Sequence, residues 1–370
     1  MQLKPFLLDE WLNAHEPSIS FNLAASTGRA WHASELLEFA GEEGRARILD
    51  CALRYGRPAG DNGLREAIAE MQGVSSDRVL VVTGASEALL VLFWLAAEPG
   101  ANIIMPNPGY PPFSALPESL GLETRFYNIS KERQFVIDLE EIERLADPNT
   151  KLILVNSPHN PTGATLSDAE FDRLAAFASV RQIQLVSDEV YHPVYHARKT
   201  LSAARLPGVT VINDFSKALS FSGLRIGWMI EHDTARRERY LNARCYFSIS
   251  NNVLGEALAE IVVRNRDVIL REAQETASRN LALLDAFMAE HRATYGWIRP
   301  QGGVTAFPWL VGESAARPFC RRAVEKGVLF APGDCFGAPE HFRLGFAASG
   351  NGFGEALARV GELGSVMTAS

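Results

Sequence analysis

Val79-Leu80-Val81-Val82-Thr83-Gly84-Ala85-Ser86-Glu87, running on through Ala88 to Ala97, reads as strand, glycine turn and helix in one short stretch. Val79–Thr83 is rich in β-branched residues, Gly84-Ala85-Ser86 turns the chain, and the segment from Glu87 to Ala97 is a strongly apolar helix. Working back, Asp61–Gln72 places Leu64, Ala67, Ile68 and Met71 at helical spacing. Ser34–Glu42 predicts a further short helix, and residues 9–16 an amphipathic one with Leu8, Trp11 and Leu12 on one side. Working forward, the alternation repeats. Strands are expected at Ala101–Met105, Leu122–Ile129, Lys151–Val155, Ile183–Val186, Thr210–Ile212 and Leu224–Ile230. Ser167 followed by Glu170 forms a capping box that opens a helix over Asp168–Phe177.

Apolar strands alternating with helices predict an α/β fold around a mostly parallel sheet covered on both faces. The polar residues fall just past the strand ends, where open sheets of this kind bind ligands. Asn242 to about Glu290 is helical throughout, and short strands and helices resume at Tyr295. The expected division is an N-terminal segment 1–45, a large domain 46–280 and a small α+β domain 281–370.

The 370 residues are 47% hydrophobic and 22% charged, enough for a substantial two-domain core. Acidic residues outnumber basic ones by 44 to 36, which argues against nucleic acid as the main partner but leaves room for a small anion held by one or two arginines. The four cysteines, Cys51, Cys245, Cys320 and Cys335, form no C-x-x-C pair, and the histidines show no H-E-x-x-H spacing. Neither a disulfide scaffold nor a metal site is expected. The N-terminus does not read as a signal peptide, and the longest apolar run is about half a membrane span. A cytoplasmic protein is expected.

Six elements carry chemistry. In Ser216-Lys217-Ala218-Leu219-Ser220-Phe221-Ser222-Gly223-Leu224-Arg225-Ile226-Gly227-Trp228 a lysine follows a strand and an arginine follows it among glycines. Such a lysine can form an imine with a carbonyl cofactor and the arginine can fork a phosphate; a surface loop with two solvated charges reads equally well. Asp188 and Tyr191 lie three apart after an apolar strand, where an aspartate also serves simply as a helix cap. Asn160, in Asn156-Ser157-Pro158-His159-Asn160-Pro161-Thr162-Gly163, is a hydrogen-bond donor within what is otherwise a turn signal. The amides of Gly84-Ala85-Ser86 can cradle an anion at a helix start. Tyr110 offers an aromatic face. Arg343, among strand-like apolar residues, is either a surface charge on an edge strand or a carboxylate clamp.

In order and spacing, these elements closely resemble the fold-type I pyridoxal-phosphate enzymes of the class I/II aminotransferase group, from about Tyr55 to Arg343. The resemblance implies a mostly parallel seven-stranded sheet of the aspartate-aminotransferase type, a pyridoxal 5'-phosphate cofactor, an amino acid substrate and a homodimer with shared active sites. It makes Lys217 the Schiff-base lysine, Asp188 the partner of the pyridine nitrogen, Tyr191 and Asn160 donors to the ring's phenolic oxygen, and Tyr110 the stacking aromatic. Gly84, Ala85, Ser86, Ser216 and Arg225 fall to the phosphate, Tyr55 to the neighbouring subunit's phosphate, and Arg343 and Gly28 to the substrate.

One position departs from the pattern. The family usually places a serine or threonine three residues before the lysine to bind the phosphate; here Asp214 stands there. Either Asp214 turns away and another group serves, Asn213 and Ser216 being available, or cofactor binding is weakened. A second likeness bears on the reaction. Leu8-Asp9-Glu10-Trp11-Leu12, Ser26-Thr27-Gly28-Arg29-Ala30-Trp31 and Glu35-Leu36-Leu37 resemble capreomycidine synthase-like enzymes of the same fold group, which close a guanidino ring. An aminotransferase is therefore the leading expectation. A lyase or cyclase working by β/γ-elimination or replacement on a hydroxylated basic amino acid is the alternative. A non-enzymatic regulatory module is disfavoured, because the residues before the cofactor domain are too few for a winged helix.

Overall fold

The computed structural model describes residues 3–367, and in it the segment quoted first becomes an edge of a seven-stranded sheet. The strands of that sheet are β1 (Val79–Val82), β2 (Asn102–Asn107), β3 (Glu123–Asn128), β4 (Thr150–Asn156), β5 (Gln184–Asp188), β6 (Val209–Asp214) and β7 (Gly227–Ile230). Their order is β1-β7-β6-β5-β4-β2-β3. β7 runs antiparallel to both of its neighbours, and the other pairings are parallel.

Alternate residues of each strand feed opposite layers, as the two-residue period of a strand requires. Leu80, Val82, Ile103, Met105, Leu154, Val186 and Ile212 pack with Leu89, Val91, Leu92 and Phe93 of the Gly84–Ala96 helix. Val79, Val81, Ile104, Ile153, Val155, Leu185 and Val211 pack on the other side with Leu64 and Ile68 of the Asn62–Gln72 helix and Leu174 of the Asp168–Arg181 helix. The capping box at Ser167 and Glu170 is formed as expected.

The sequence expectation for β7 was three residues too long at its start. Ser222–Leu224 make a single turn of 3-10 helix and Arg225 takes a left-handed φ of 54°, so pairing begins only at Gly227. A side chain at Gly227 would put its Cβ 2.8 Å from the Asn213 carbonyl oxygen and 2.9 Å from the Gly84 carbonyl carbon. Glycine there lets β6, β7 and the helix start converge. The Asn242–Glu290 stretch is likewise three helices, Thr234–Phe247, Val253–Arg264 and Arg266–Glu290, and the one at Ser34 extends over Ala33–Leu49 with a kink at Gly41.

The N-terminal segment is tied to the far end of the chain. Phe21–Asn22 pairs in parallel with Val328–Leu329, and Trp11 Nε1 donates to the Phe330 carbonyl at 2.7 Å. There Phe342–Gly345 is the middle strand of three, between Thr305–Ala306 and Ala331–Pro332. Among the described residues no helix is long and apolar enough to cross a membrane, and no group of three or more His, Cys, Asp or Glu side chains could hold a metal ion.

Candidate active site

Parallel strands end on one side of the sheet, and five of these ends supply polar groups to a single cavity of about 170 Å³. Asn156 and Asp188 are the last residues of β4 and β5; Lys217 lies just beyond β6, Tyr110 just beyond β2, and Ala85 and Ser86 open the helix after β1. The lining also includes Asn160, Tyr191, Asp214 and Arg343, together with Phe6, Leu8, Asp9, Leu12 and Ser26 from the N-terminal segment.

Lys217 Nζ donates to Ser26 Oγ at 2.9 Å. The amine keeps some surface open to the cavity, yet the surrounding protein pulls its pKa down to about 8, against the opposing pull of Asp214. Burial acts in the opposite sense on Asp188, whose carboxyl is pushed up to about 7 although the Val190 amide donates to it at 3.2 Å. Tyr191 is buried with no hydrogen-bond partner for its hydroxyl, and burial raises its pKa to about 12 despite Arg343 and Ser26 nearby. Tyr110 meets Phe6 and Phe113 edge-on, and its pKa is also raised by burial.

Arg343 is no edge-strand surface charge. It is 3% exposed on a central strand, with Nη2 donating to the Ala24 carbonyl at 2.7 Å and Nη1 to Asn160 Oδ1 at 3.2 Å. Its Nε has no partner, and among the described residues no carboxylate pairs with it. Burial lowers its pKa.

Five expected site residues lie outside this cavity. Gly84, with φ 73°, precedes the helix amides, and a Cβ there would sit 3.0 Å from Arg225 Nη2. Arg225 is exposed and donates to Ser216 Oγ at 3.4 Å and the Ser222 carbonyl at 3.0 Å, so Gly84, Ser216 and Arg225 form one cluster beside the helix start. Gly28 borders a neighbouring small cavity, its amide donating to Ser220 Oγ at 2.8 Å. Tyr55 is 81% exposed and does not line the cavity of its own chain. Asp214 does not turn away: its carboxylate accepts from the Ser216 amide at 2.8 Å and from the Ala85 amide at 3.5 Å. Ser26 and Asp9 were not singled out from the sequence as site residues. They lie some two hundred residues from Lys217, in the two N-terminal stretches whose likeness to capreomycidine synthase-like enzymes gave neither residue a role.

The donor set suits pyridoxal phosphate. An orphaned tyrosine hydroxyl, a buried carboxyl and an exposed arginine with no ion pair among the described residues, and a lysine with a lowered pKa are groups that cofactor would engage. Asp214 alone among them offers negative charge where the cofactor's phosphate is negative.

The model of the family "aminotransferase class I and II" matches residues 32–358. Capreomycidine synthase of Streptomyces vinaceus is 28% identical over 334 residues, covering 86% of each chain. Arginine–pyruvate transaminase of Pseudomonas aeruginosa is 27% identical over 320 residues, covering 83% of this chain and 81% of its own. The crystal structure of a PLP-dependent aminotransferase from Streptococcus suis superposes with a TM-score of 0.91 at 28% identity, over 100% of this chain and 99% of that one. With sheet, cavity and family model in agreement over most of its length, this chain belongs to the class I and II aminotransferases, pyridoxal-phosphate enzymes of the aspartate-aminotransferase fold.

Proposed function

We propose that the chain moves the amino group of an α-amino acid to a 2-oxo acid, with the cofactor bonded to Lys217. The observation that carries this is the shared enclosure of Lys217, Asp188 and an Arg343 with no counter-ion. A buried guanidinium without an anion is costly, and a substrate α-carboxylate supplies one through paired hydrogen bonds. Bound pyridoxal phosphate is an electron sink that lets the α-carbon lose its proton. Asp188 would hold the proton of the ring nitrogen, Tyr191 and Asn160 would donate to the phenolic oxygen, and Tyr110 would cover a ring face. The amides of Gly84, Ala85 and Ser86, with Ser216 and Arg225, would bear on the phosphate. Lys217 Nζ would take the α-proton; at a pKa of about 8, roughly a tenth of it is neutral at pH 7. Gly28, fixed by Ser220, would border the substrate.

Asp9, an exposed carboxylate, supports a basic amino acid as substrate. This carboxylate lines the cavity with no hydrogen-bond or ion-pair partner among the described residues, so it suits a cationic side chain, as the arginine named for one relative also favours. A homodimer is supported by Leu53 and Tyr55, more than 80% exposed just before Gly56, which approaches Ser250, and by Tyr246, 85% exposed at the end of the Thr234–Phe247 helix. Tyr55 would then reach the partner subunit's phosphate.

The likeness to capreomycidine synthase favours a second reading, elimination or cyclisation on a hydroxylated basic amino acid. Incubation of the holoenzyme with single amino acids, followed by absorbance, separates the two. Transamination converts the cofactor stably to its aminated form and yields a 2-oxo acid, with basic donors leading. Product formed by elimination, with no donor aminating the cofactor, would establish the second reading. Lys217→Ala should cut turnover by roughly 10²–10⁴-fold or more, and borohydride reduction of the wild type should fix the cofactor on the Lys217 peptide.

A further inference from the structure

The thirteen-residue helix Gly84–Ala96 has unpaired amides and a positive dipole end at its start, which favour an anion there. The chain already places one at that spot. Asp214 is 6% exposed, its Oδ2 accepts from the Ala85 amide at 3.5 Å, and its Oδ1 is held by the Ser216 amide at 2.8 Å. Arg225, the cation beside this helix start, makes no ion pair with Asp214 or with any other carboxylate among the described residues; its guanidinium donates to Ser216 Oγ and the Ser222 carbonyl. The charges that Asp214 acts on are those of Lys217 and Asp188.

Building on the cofactor placement proposed above, we infer that Asp214 is an internal stand-in for the cofactor's phosphate: it caps the helix start when the cofactor is absent and must be displaced for the phosphate to seat. Two anions cannot share these amides without repulsion, so one excludes the other. Room for the displaced carboxylate exists. Asp214 also lines a second cavity of about 540 Å³ behind the site, with Asn213, Ala218 and Trp228. Asp214 thus weakens cofactor retention while sparing the empty protein an uncapped helix at the centre of its site.

The test uses apoprotein prepared from the wild type and from Asp214→Ser and Asp214→Asn, the second keeping the side chain's shape. Pyridoxal phosphate and phosphate-free pyridoxal are titrated by absorbance, and thermal melts of the apoproteins are recorded with and without inorganic phosphate. Both variants should bind pyridoxal phosphate roughly ten-fold or more tightly than wild type, with pyridoxal unchanged. Apo-variant melting temperatures should drop in phosphate-free buffer and recover with inorganic phosphate, while the wild type ignores the ion. Equal or weaker binding of pyridoxal phosphate by both variants, or an equal change for pyridoxal, would overturn the inference and leave the Lys217 assignment standing. If the wild type bonds neither pyridoxal compound, the cofactor placement falls and this inference with it.

Discussion

Arg244 and Arg343 are buried almost equally, at 0% and 3% exposure, yet the protein treats them in opposite ways. Arg244 meets the Glu87 carboxylate at 3.3 Å and also donates to the Pro58 carbonyl and to Asn251 Oδ1. Glu87 accepts further bonds from the Thr83 amide and Ser248 Oγ, both at 2.5 Å, and Asn251 donates to Glu256 at 2.7 Å. Each charge in that cluster is answered from within the chain. Arg343 donates to two neutral oxygens, lies over the Phe336 ring at 4.8 Å, leaves Nε unpartnered and meets no carboxylate among the described residues. Burial alone therefore does not mark a functional charge. What distinguishes the two is whether the counter-ion is built in, as for Arg244, or, as we propose for Arg343, left to a substrate. The Arg244 cluster also has a positional role, since Thr83 and Glu87 frame the start of the helix proposed to face the phosphate.

The contrast can be broken by experiment. The largest effect should come from Arg244→Met, which strands a buried Glu87 and should cost about 3–5 kcal/mol of stability in urea unfolding. A loss below about 1 kcal/mol would show that the cluster is not the built-in pair described. Asp188 is the unmatched carboxylate to set beside Glu87. Its folded pKa of about 7 lies above the unfolded value of 3.8, so its ionisation destabilises the apoprotein progressively from about pH 4 to pH 7 and by a constant amount above that. Asp188→Asn removes this titration. The apo variant should match the wild type near pH 4 and gain on the order of 4 kcal/mol over it by pH 7, an advantage absent if Asp188 is already neutralised by the protein. Smallest should be the effect of Arg343→Met on folding, within about 1 kcal/mol of wild type, because two lost hydrogen bonds are offset by removal of an uncompensated charge. Its kcat/KM for amino donors should nevertheless fall roughly 10–100-fold. A stability loss as large as that of Arg244→Met, with unchanged kinetics, would make Arg343 a structural arginine.

Much of this was legible in the chain because strand ends are marked chemically. Asp188 closes an apolar run, Lys217 follows one, and Asn160 sits in a proline-glycine turn after another, so local pattern alone placed them on the rim of a sheet. Asp214 stood out as a misfit, but its direction depended on how closely β6, β7 and the Gly84 helix approach, which Gly227 governs from outside the motif. The start of β7 was misjudged for a related reason: Leu224 and Ile226 look like strand residues, but the left-handed turn at Arg225 separates them from the ladder. Ser26 and Asp9 lie in stretches that resemble capreomycidine synthase-like enzymes, but nothing local gave either a role, as a single serine and a single first-turn aspartate are common in any soluble chain.

By itself, the sequence determined the α/β alternation, the family, the lysine and its strand-end companions, since each depends on neighbours a few residues apart and on the two-residue and 3.6-residue periods. Only the tertiary structure decided that Arg343 is enclosed without a counter-ion, that Ser26 touches Lys217 across 191 positions, and that Asp214 caps the helix at Ala85. Those are outcomes of packing between distant segments, where burial sets the cost of a charge and a shift of an ångström decides which partner it meets.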